Sequence, residues 1–362
     1  MGAAGHTLER EGVGQMAPLE IDAGRSGAEV LAWSRELVGP VLRAAVDRLP
    51  ASMRRVAGYH FGWCDEHGES VEPGGDGGKS VRPALVLLAA QAVGGDAERA
   101  LPAACAAELV HNFTLLHDDV MDRDLTRRHR PTSWAVFGSS TAILAGDALL
   151  TLAFDVLAEA GRPATGTGMR TLSTVLYELV DGQSADLSFE AREDVELPEC
   201  LRMAVGKTGS LLGGACSLGA IFGGGSPEQV DRLRGYGRNV GLAFQFVDDL
   251  LGIWGDPDRT GKAVYSDLAN RKKTLPVVAT LTSGTPVGRE LADLYQREDR
   301  LSDAELARAA ELIESAGGRV WTEKQAAEHL AGALACLEGV GLDTRATAEL
   351  GELARLAVHR DH

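Results

Sequence analysis

The sequence predicts an all-α protein, and both its composition and its apolar pattern support this. Alanine and leucine are abundant, whereas aromatic residues account for only 5% of the chain. This composition favours helix, because Ala and Leu are strong helix formers and strands prefer aromatic and β-branched residues. Apolar residues also recur at helical spacing through most of the chain, and we find no segment with a reliable strand pattern.

The order of elements follows from breaks in this pattern. Residues 1–26 are rich in glycine and small residues, so we interpret them as a flexible N-terminal leader. Residues 27–362 are predicted to form a single helical domain. Its first helix covers about 28–49 and precedes a glycine-rich break at 73–78. Further long helices are expected at about 81–93, 96–122, 133–160, 165–190, 197–218 and 227–252, with shorter amphipathic helices over 274–358.

Charge and cysteine content exclude several classes of protein. The net charge of −16 argues against a nucleic-acid partner, because binding to the phosphate backbone needs clustered Lys and Arg. The five cysteines are scattered and form no CxxC, which argues against a disulfide framework or a zinc site and favours a cytoplasmic location. We find no signal-peptide pattern and no uninterrupted apolar run of membrane-spanning length, so no transmembrane segment is predicted.

An acidic motif, Asp118-Asp119-Val120-Met121-Asp122, ends one of the apolar helices. Asp118 and Asp122 are four residues apart and share a helix face, where like charges destabilise unless they are neutralised. Mg²⁺ prefers carboxylate oxygens and often bridges to substrate phosphates. Taken alone, the motif fits a solvated helix end equally well. The apolar run 113–116 before it and the basic run 127–130 after it favour a metal with a diphosphate, since Arg matches phosphate oxygens.

A second acidic pair, Asp248-Asp249, also ends a mostly apolar helix and is also followed by cations. These include Lys262 and the run 271–273. Two such arrangements facing each other would hold metal ions against one diphosphate from both sides. Although the chain is acidic overall, its Arg and Lys residues would then be gathered where the substrate phosphates bind.

The motifs together resemble the trans-isoprenyl diphosphate synthase (polyprenyl synthetase) family, and their pattern is most similar to that of geranylgeranyl diphosphate synthases. The resemblance covers the chain from about Gly27 onward. It rests on five motifs in order: Gly78-Lys79-Ser80-Val81-Arg82-Pro83, the DDxxD at 118–122 with Arg127-Arg128, Gly206-Lys207-Thr208, Phe244-Gln245 before Asp248-Asp249, and Asp267-Leu268 through Lys273-Thr274-Leu275-Pro276.

The resemblance implies a helical bundle of the isoprenoid-synthase type around a deep central cavity, usually as a homodimer. It implies Mg²⁺ held by Asp118, Asp122 and Asp248, with Asp119 also in the catalytic set. The allylic diphosphate would contact Arg127, Lys207 and Lys262. Isopentenyl diphosphate would contact Lys79, Arg82, His111 and Arg128, and the space between the substrates would be lined by Thr208, Gln245 and Gln183.

The implied activity is a prenyltransferase reaction of isoprenoid biosynthesis that condenses isopentenyl diphosphate with an allylic diphosphate. Product length should follow from the residue that closes the cavity. Phe113 lies five residues before Asp118, about 7–8 Å along the helix at 1.5 Å per residue, with the small Thr114 beside it. In the family, a single aromatic residue there fits geranylgeranyl diphosphate (C20), and farnesyl diphosphate (C15) is the next candidate.

Three positions depart from the family pattern and keep alternatives open. Gly252 replaces the last acid of the second motif, Ser80 replaces a basic residue, and Tyr265 replaces a glycine. Asp256, one turn further on, is our candidate to compensate for Gly252. The alternatives are a longer-chain synthase, a class I terpene cyclase, which shares the DDxxD, and a non-catalytic partner subunit of another synthase.

Overall fold

The computed structural model describes residues 24–71, 80–257, 263–297 and 299–358. It confirms the predicted all-α class. Residues 1–23 of the predicted leader and the predicted site residues Lys79 and Lys262 lie outside the described residues. Arg25 and Ser26, which we had assigned to the leader, contact the helical body.

Sixteen α-helices can be numbered in the described part of the chain. They are α1 (Gly27–Val46), α2 (Ala51–His60), α3 (Val81–Ala92), α4 (Leu101–Met121), α5 (Ser133–Phe137), α6 (Ser139–Glu159), α7 (Thr165–Ala191), α8 (Leu197–Ala204), α9 (Ser210–Gly223), α10 (Pro227–Trp254), α11 (Ser266–Ala269), α12 (Leu275–Leu281), α13 (Pro286–Tyr295), α14 (Asp303–Ser315), α15 (Gly318–Cys336) and α16 (Thr344–Val358).

Three of the predicted long helices are interrupted. A 3₁₀ turn at Ala97–Ala100 precedes α4. The segment 133–160 divides at Gly138, which has φ of 85° and separates α5 from α6, a backbone conformation that glycine adopts without strain. A π-helical turn at Val205–Gly209 joins α8 to α9, and α9 then continues to Gly223, beyond the predicted end at 218.

The expectation that the chain has no strand is wrong at one place. Thr126–Arg127 and Arg130–Pro131 form a two-residue antiparallel hairpin directly after the first acidic motif. Arg128 and His129 form its turn with φ of 50° and 60°, the pair of positive values that a type I′ hairpin turn needs. The hairpin is too short to give a period-two pattern, so the sequence did not reveal it.

The helices that carry the two acidic motifs lie at the centre of the packing. The α4 helix packs along α6 and α3, and the α10 helix packs along α9 and α15. The main apolar core joins α1, α3, α4, α6 and α9, while two smaller clusters lie below the end of α10. Because α4 and α10 are packed in these cores, the backbone positions of the acids at their C-terminal ends are well defined.

One described helix, α6, is long and apolar enough to cross a membrane by length and composition alone. The sequence interpretation had not singled it out, because Asp147 and Asp155 interrupt its apolar run. In the structure 44% of its apolar window is buried inside the protein, where α6 packs on α4 and α7. Its other side retains apolar side chains at the surface, including Leu144, which is 57% exposed.

A buried ion pair fastens the start of α1 to α16. Arg25 Nε donates to Glu349 Oε2 at 3.0 Å, and the Glu349 side chain is 1% exposed. The Arg25 guanidinium also lies 3.7 Å from the centre of the Trp33 ring. Burial favours the neutral acid, but the hydrogen bonds from Arg25 keep the pKa of Glu349 below its usual value.

Arg25→Met is therefore expected to lower the free energy of unfolding by about 2 kcal/mol, because it leaves a buried carboxylate with a weaker partner. Urea denaturation of the purified variant measures this change. Arg345→Met is the matched control: Arg345 also reaches Glu349, at 3.4 Å, but is mostly exposed, so a loss below about 1 kcal/mol is expected. Equal stability of wild type and Arg25→Met would show that the Arg25–Glu349 ion pair does not stabilise the fold.

Candidate active site

The first acidic motif brings several carboxylates together at the end of α4. Burial, together with the nearby charges of Asp122 and Asp186, raises the pKa of Asp118 to about 6, although the charge of Lys207 opposes the rise. Asp118 and Asp122 thus share a face, as predicted from their spacing, and Asp186 on α7 joins them. The described residues contain no group of three such side chains already close enough to enclose a metal ion. Carboxylate oxygens that share one face nevertheless suit a hard divalent cation such as Mg²⁺.

Asp119 faces another way and contacts Arg127 on the hairpin. Arg127 Nε donates to Asp119 Oδ1 at 2.7 Å, and the Asp119 side chain is 1% exposed. Asp119 Oδ2 is buried and has no hydrogen-bond partner among the described residues. The second acid of this motif is therefore engaged with the arginine, whereas Asp118 and Asp122 stay the predicted metal ligands.

Lys207 reaches the acids from the π-helical turn. Its Nζ atom donates to Asp186 Oδ2 at 2.6 Å, and the charges of Asp186 and Asp118 raise its pKa even though burial acts against this. The turn can approach α7 because residue 182 is glycine: a Cβ atom there would lie 2.4 Å from the Lys207 backbone nitrogen. Single π turns are often found at functional sites, and here the turn carries the predicted lysine.

In the second acidic pair, as in the first motif, the second acid is held by a hydrogen bond from another segment. Asp249 accepts hydrogen bonds from Gln245 Nε2 at 2.7 Å and from the Leu275 backbone nitrogen at 2.8 Å. Burial raises its pKa to about 8. Gln245 in turn accepts from Thr208 Oγ1 at 2.6 Å. Asp249 therefore ties α10 to the start of α12 and, through Gln245, to the π turn. Asp248 stays the predicted metal ligand of this pair.

Lys272 lies near Asp122 of the first acidic motif and near Asp267, and it was not singled out from the sequence. Burial acts to lower its pKa, but the charges of Asp267 and Asp122 raise it above its usual value. Its neighbours in the basic run point elsewhere: Lys273 Nζ donates to the Phe189 carbonyl at 2.6 Å, and Arg271 donates to a backbone carbonyl of a distant loop. The run of three cations was visible in the sequence, but only the fold shows which of the three side chains lies near the acidic side chains.

A second group of basic side chains is contributed by α2, α3, α4 and the hairpin. Burial lowers the pKa of His111, and the nearby charges of Arg82 and Arg128 lower it further. His60, at the end of α2, is an addition to the predicted set. Burial and then the charges of Arg128 and Arg127 lower its pKa to about 3, and its Nε2 atom has no hydrogen-bond partner within the described chain. The group is therefore suited to an anion.

The remaining predicted residues lie close to the first motif. Gln183 Nε2 lies 3.9 Å from Met121 Sδ, at the end of α4. Phe113 is 8% exposed, and its ring packs edge-on against His117 with centroids 4.7 Å apart. Thr114 Oγ1 donates to the His111 carbonyl at 2.7 Å, so its hydroxyl is satisfied within the helix.

Comparison with known proteins agrees with this geometry. The sequence model of the family described as polyprenyl synthetase matches residues 71–313. A (2E,6E)-farnesyl diphosphate synthase of Mycobacterium tuberculosis is 49% identical over 334 residues, which is 91% of this chain and 92% of the relative. A geranylgeranyl diphosphate synthase of the same organism is 44% identical over 86% of this chain and 89% of the relative. A crystal structure of a polyprenyl synthetase from Streptomyces coelicolor has a TM-score of 0.87 and 48% identity, covering 91% of this chain and 99% of that one.

The chain therefore belongs to the polyprenyl synthetase family. It is a trans-isoprenyl diphosphate synthase, an enzyme that transfers prenyl groups in isoprenoid biosynthesis.

Proposed function

We propose that this enzyme condenses isopentenyl diphosphate with allylic diphosphates in the presence of Mg²⁺ and releases geranylgeranyl diphosphate. The observation that carries the proposal is the arrangement of acidic and basic side chains around the end of α4. Lys207 lies between Asp118 and Asp186, and Lys272 lies near Asp122 and Asp267. Acids that hold a metal and cations that hold phosphate are thereby interleaved in one space.

Each group has a role that follows from its position. Asp118, Asp122 and Asp248 offer the carboxylate oxygens for Mg²⁺, with Asp186 beside them. Bound Mg²⁺ would neutralise the negative charge that builds on the departing diphosphate. Arg127, Lys207 and Lys272 donate to phosphate oxygens and hold the leaving group in place, with Lys262 expected to do the same.

Cleavage of the allylic carbon–oxygen bond leaves an allylic carbocation and free diphosphate. The isopentenyl double bond attacks this cation through its terminal carbon C4, which leaves a tertiary cation at C3. Loss of a proton from C2 then forms the new C2=C3 double bond. The departing diphosphate is the base that accepts this proton, so no protein nucleophile is needed. Gln183, Thr208 and Gln245 are proposed to separate and orient the two substrates, with Gln245 fixed by its bonds to Thr208 and Asp249.

The second diphosphate is proposed to bind the basic group formed by Arg82, His111 and Arg128, together with Lys79. His60 joins this group because it lies beside the same arginines. Glu108 lies beneath them, where burial raises its pKa and Arg82 opposes the rise. A buried acid below the arginines helps to keep them in position when no anion is bound.

The proposed C20 product rests on Phe113, the single large aromatic side chain one and a half turns before Asp118. The relatives do not decide between a C15 and a C20 product, because this chain is similar to both a farnesyl diphosphate synthase and a geranylgeranyl diphosphate synthase. Farnesyl diphosphate is therefore the second candidate product, and its release by the wild-type enzyme would overturn the C20 assignment without affecting the reaction itself.

Metal binding is expected to weaken as the pH falls through 6. Mg²⁺ binds the ionised carboxylate, and the pKa of Asp118 in the metal-free protein is raised to about 6. Above this value the carboxylate is already ionised, so the affinity should be nearly constant, and it should be about tenfold weaker at pH 5 than at pH 7.5. Mg²⁺ titrations followed by the rise in Tm at constant ionic strength measure this. A Mg²⁺ affinity that does not change between pH 5 and pH 7.5 would contradict the proposal that Asp118 binds the ion.

We also propose that the enzyme is a homodimer of the cytoplasm. The exposed apolar side of α6 lies beside α7, which also carries exposed apolar side chains. Of these, Tyr177 is 77% exposed and Val180 is 56% exposed. A second copy of the chain would cover these side chains. Analytical ultracentrifugation should give twice the chain mass of 38.2 kDa, and Leu144→Asp with Val180→Asp should give the monomer. A monomeric wild type would contradict the proposal.

The direct test of the reaction uses the purified protein alone with dimethylallyl diphosphate, isopentenyl diphosphate and Mg²⁺. Linear prenyl diphosphates, ending mainly at C20, are the expected products, and EDTA should abolish their formation. Geranylgeranyl diphosphate incubated without isopentenyl diphosphate should remain unchanged. A cyclic hydrocarbon from that incubation would indicate a terpene cyclase, and no turnover without a second protein would indicate a partner subunit.

A further inference from the structure

The hairpin at 126–131 carries the two arginines proposed to bind the diphosphates, Arg127 for the allylic substrate and Arg128 for isopentenyl diphosphate. Each of its strands has only two residues. An isolated hairpin is only marginally stable in water, so contacts with the rest of the protein decide where this one lies. On the side of α4, Asp119 bonds Arg127. The opposite side of the hairpin is bonded to the end of α2.

Arg130, the first residue of the second strand, makes most of this contact with α2. Its Nη1 atom donates to the Tyr59 carbonyl at 3.3 Å, and its Nη2 atom donates to the Cys64 carbonyl at 3.2 Å. Its guanidinium also lies 4.4 Å from the centre of the Tyr59 ring. The carbonyl groups in the last turn of a helix carry partial negative charge and bind cations well. Arg130 therefore joins the hairpin to the C-terminal end of α2.

Tyr59 completes the connection from the side of α2. Its hydroxyl donates to the Pro131 carbonyl at 2.9 Å, and its ring packs edge-on against Phe137 of α5 with centroids 5.3 Å apart. Tyr59 is 5% exposed, so water has little access to these bonds. We call Tyr59 and Arg130 together the α2–hairpin clamp. Because each of the two residues bonds the backbone of the other's segment, the clamp sets the position of the hairpin relative to α2.

The clamp lies next to the group of basic side chains proposed for isopentenyl diphosphate. His60 follows Tyr59 on α2, and its buried Nε2 atom has no hydrogen-bond partner among the described residues. Arg128 precedes Arg130 by two residues and lies in the turn of the hairpin, where its φ is 50°. The clamp therefore also sets the position of Arg128 relative to His60.

We propose that Arg130 and Tyr59 are positioning residues for isopentenyl diphosphate, which hold the hairpin against α2 so that Arg128 and His60 meet the same diphosphate. Neither residue of the clamp touches the substrate in this proposal. The effect is selective for one substrate, because Arg127 has a separate support in Asp119 on α4. The inference rests on the proposed binding of isopentenyl diphosphate by this basic group.

Steady-state kinetics of Arg130→Met, with each substrate varied separately, test the proposal. Methionine keeps an unbranched side chain but cannot donate to the two carbonyls. KM for isopentenyl diphosphate is expected to rise about tenfold, and KM for the allylic diphosphate less than about threefold, because only Arg128 loses its support. A variant that is merely less well folded would lower the concentration of active enzyme, and so the apparent kcat, and leave both KM values unchanged.

Tyr59→Phe is a milder variant that keeps the ring and removes only the hydroxyl bond to Pro131. It should raise KM for isopentenyl diphosphate about threefold, as expected for one neutral hydrogen bond. Arg43→Met is the matched control, because Arg43 also lies over an aromatic ring of the loop after α2, 4.6 Å from the centre of Trp63. This control should keep the wild-type KM for both substrates.

The Tm of each variant reports folding separately from substrate binding. The inference is overturned if Arg130→Met keeps the wild-type KM for isopentenyl diphosphate, if both KM values rise equally, or if Arg43→Met reproduces the selective rise. Should Arg130→Met not fold, a wild-type KM in Tyr59→Phe overturns the inference in its place. A wild type that does not consume isopentenyl diphosphate would refute the proposed function instead.

Discussion

Asp118→Asn is expected to lower kcat/KM for the allylic diphosphate by about 10³-fold, the upper range for removal of one preorganised electrostatic group. The amide keeps the size of the side chain but cannot offer an anionic oxygen to Mg²⁺. The loss should be larger than for a solvent-exposed acid because Asp118 is largely buried beside Asp122 and Asp186, where a missing charge is poorly replaced by water. Steady-state kinetics at saturating isopentenyl diphosphate measure the change.

The control for Asp118→Asn is Asp231→Asn, which makes the same chemical change at an exposed position near the start of α10 and should leave kcat/KM unchanged. Excess Mg²⁺ should restore part of the activity of Asp118→Asn if the remaining carboxylates still bind the ion. A variant with wild-type kcat/KM would show that the first motif is a solvated helix end, the reading that its sequence alone permitted.

Phe113→Ala is expected to shift the product from C20 to longer chains. The ring is 8% exposed in the apolar core and packs against His117, and Phe113 precedes Asp118 by five residues on α4. Removing it opens space in the direction in which the prenyl chain grows from the diphosphate. Reversed-phase chromatography of the dephosphorylated products gives the chain-length distribution. The direction of the shift is the same if the wild-type product is C15.

Loss of a buried ring also loosens a core, so a control is needed to separate this effect. Phe222→Ala removes a ring of equal size from α9 in the same core, with a stability cost of about 3–5 kcal/mol expected for either variant. Its product should keep the wild-type length. If Phe113→Ala gives wild-type products, Phe113 does not close the cavity.

Helix bodies could be predicted from the sequence, whereas several of their ends could not. The 3.6-residue period located α4, α7 and α10 within a few residues because their apolar faces repeat over many turns. The π turn at Val205–Gly209 has no such local signal. It depends on Gly182 of another helix, which lets the backbone of Lys207 come close.

The site could be predicted at the level of motifs but not of individual contacts. The four-residue spacing of Asp118 and Asp122 was sufficient to assign them to one face. The roles of Asp119 and Asp249 were not predictable, because their partners Arg127 and Leu275 are brought to them by the hairpin and by α12. These are tertiary contacts between segments whose relative positions a single sequence does not encode in any short pattern.

The structure also shows what surrounds each departure from the family pattern. Tyr265 and Ser80, which replace a glycine and a basic residue, both have positive φ, at 62° and 48°. Such backbone is uncommon for residues other than glycine and often occurs at binding sites. The space beside Gly252 is filled by the side chain of Asp267.

The central claim is that the ends of α4 and α10 hold one diphosphate between two acidic motifs. The most direct measurement is a crystal structure with Mg²⁺ and an allylic thiolodiphosphate, whose bridging sulfur resists cleavage. Mg²⁺ ions should contact Asp118, Asp122 and Asp248, with Lys207 and Lys272 at the phosphate oxygens. A diphosphate bound elsewhere, or metal ions that contact only one of the two motifs, would contradict the account.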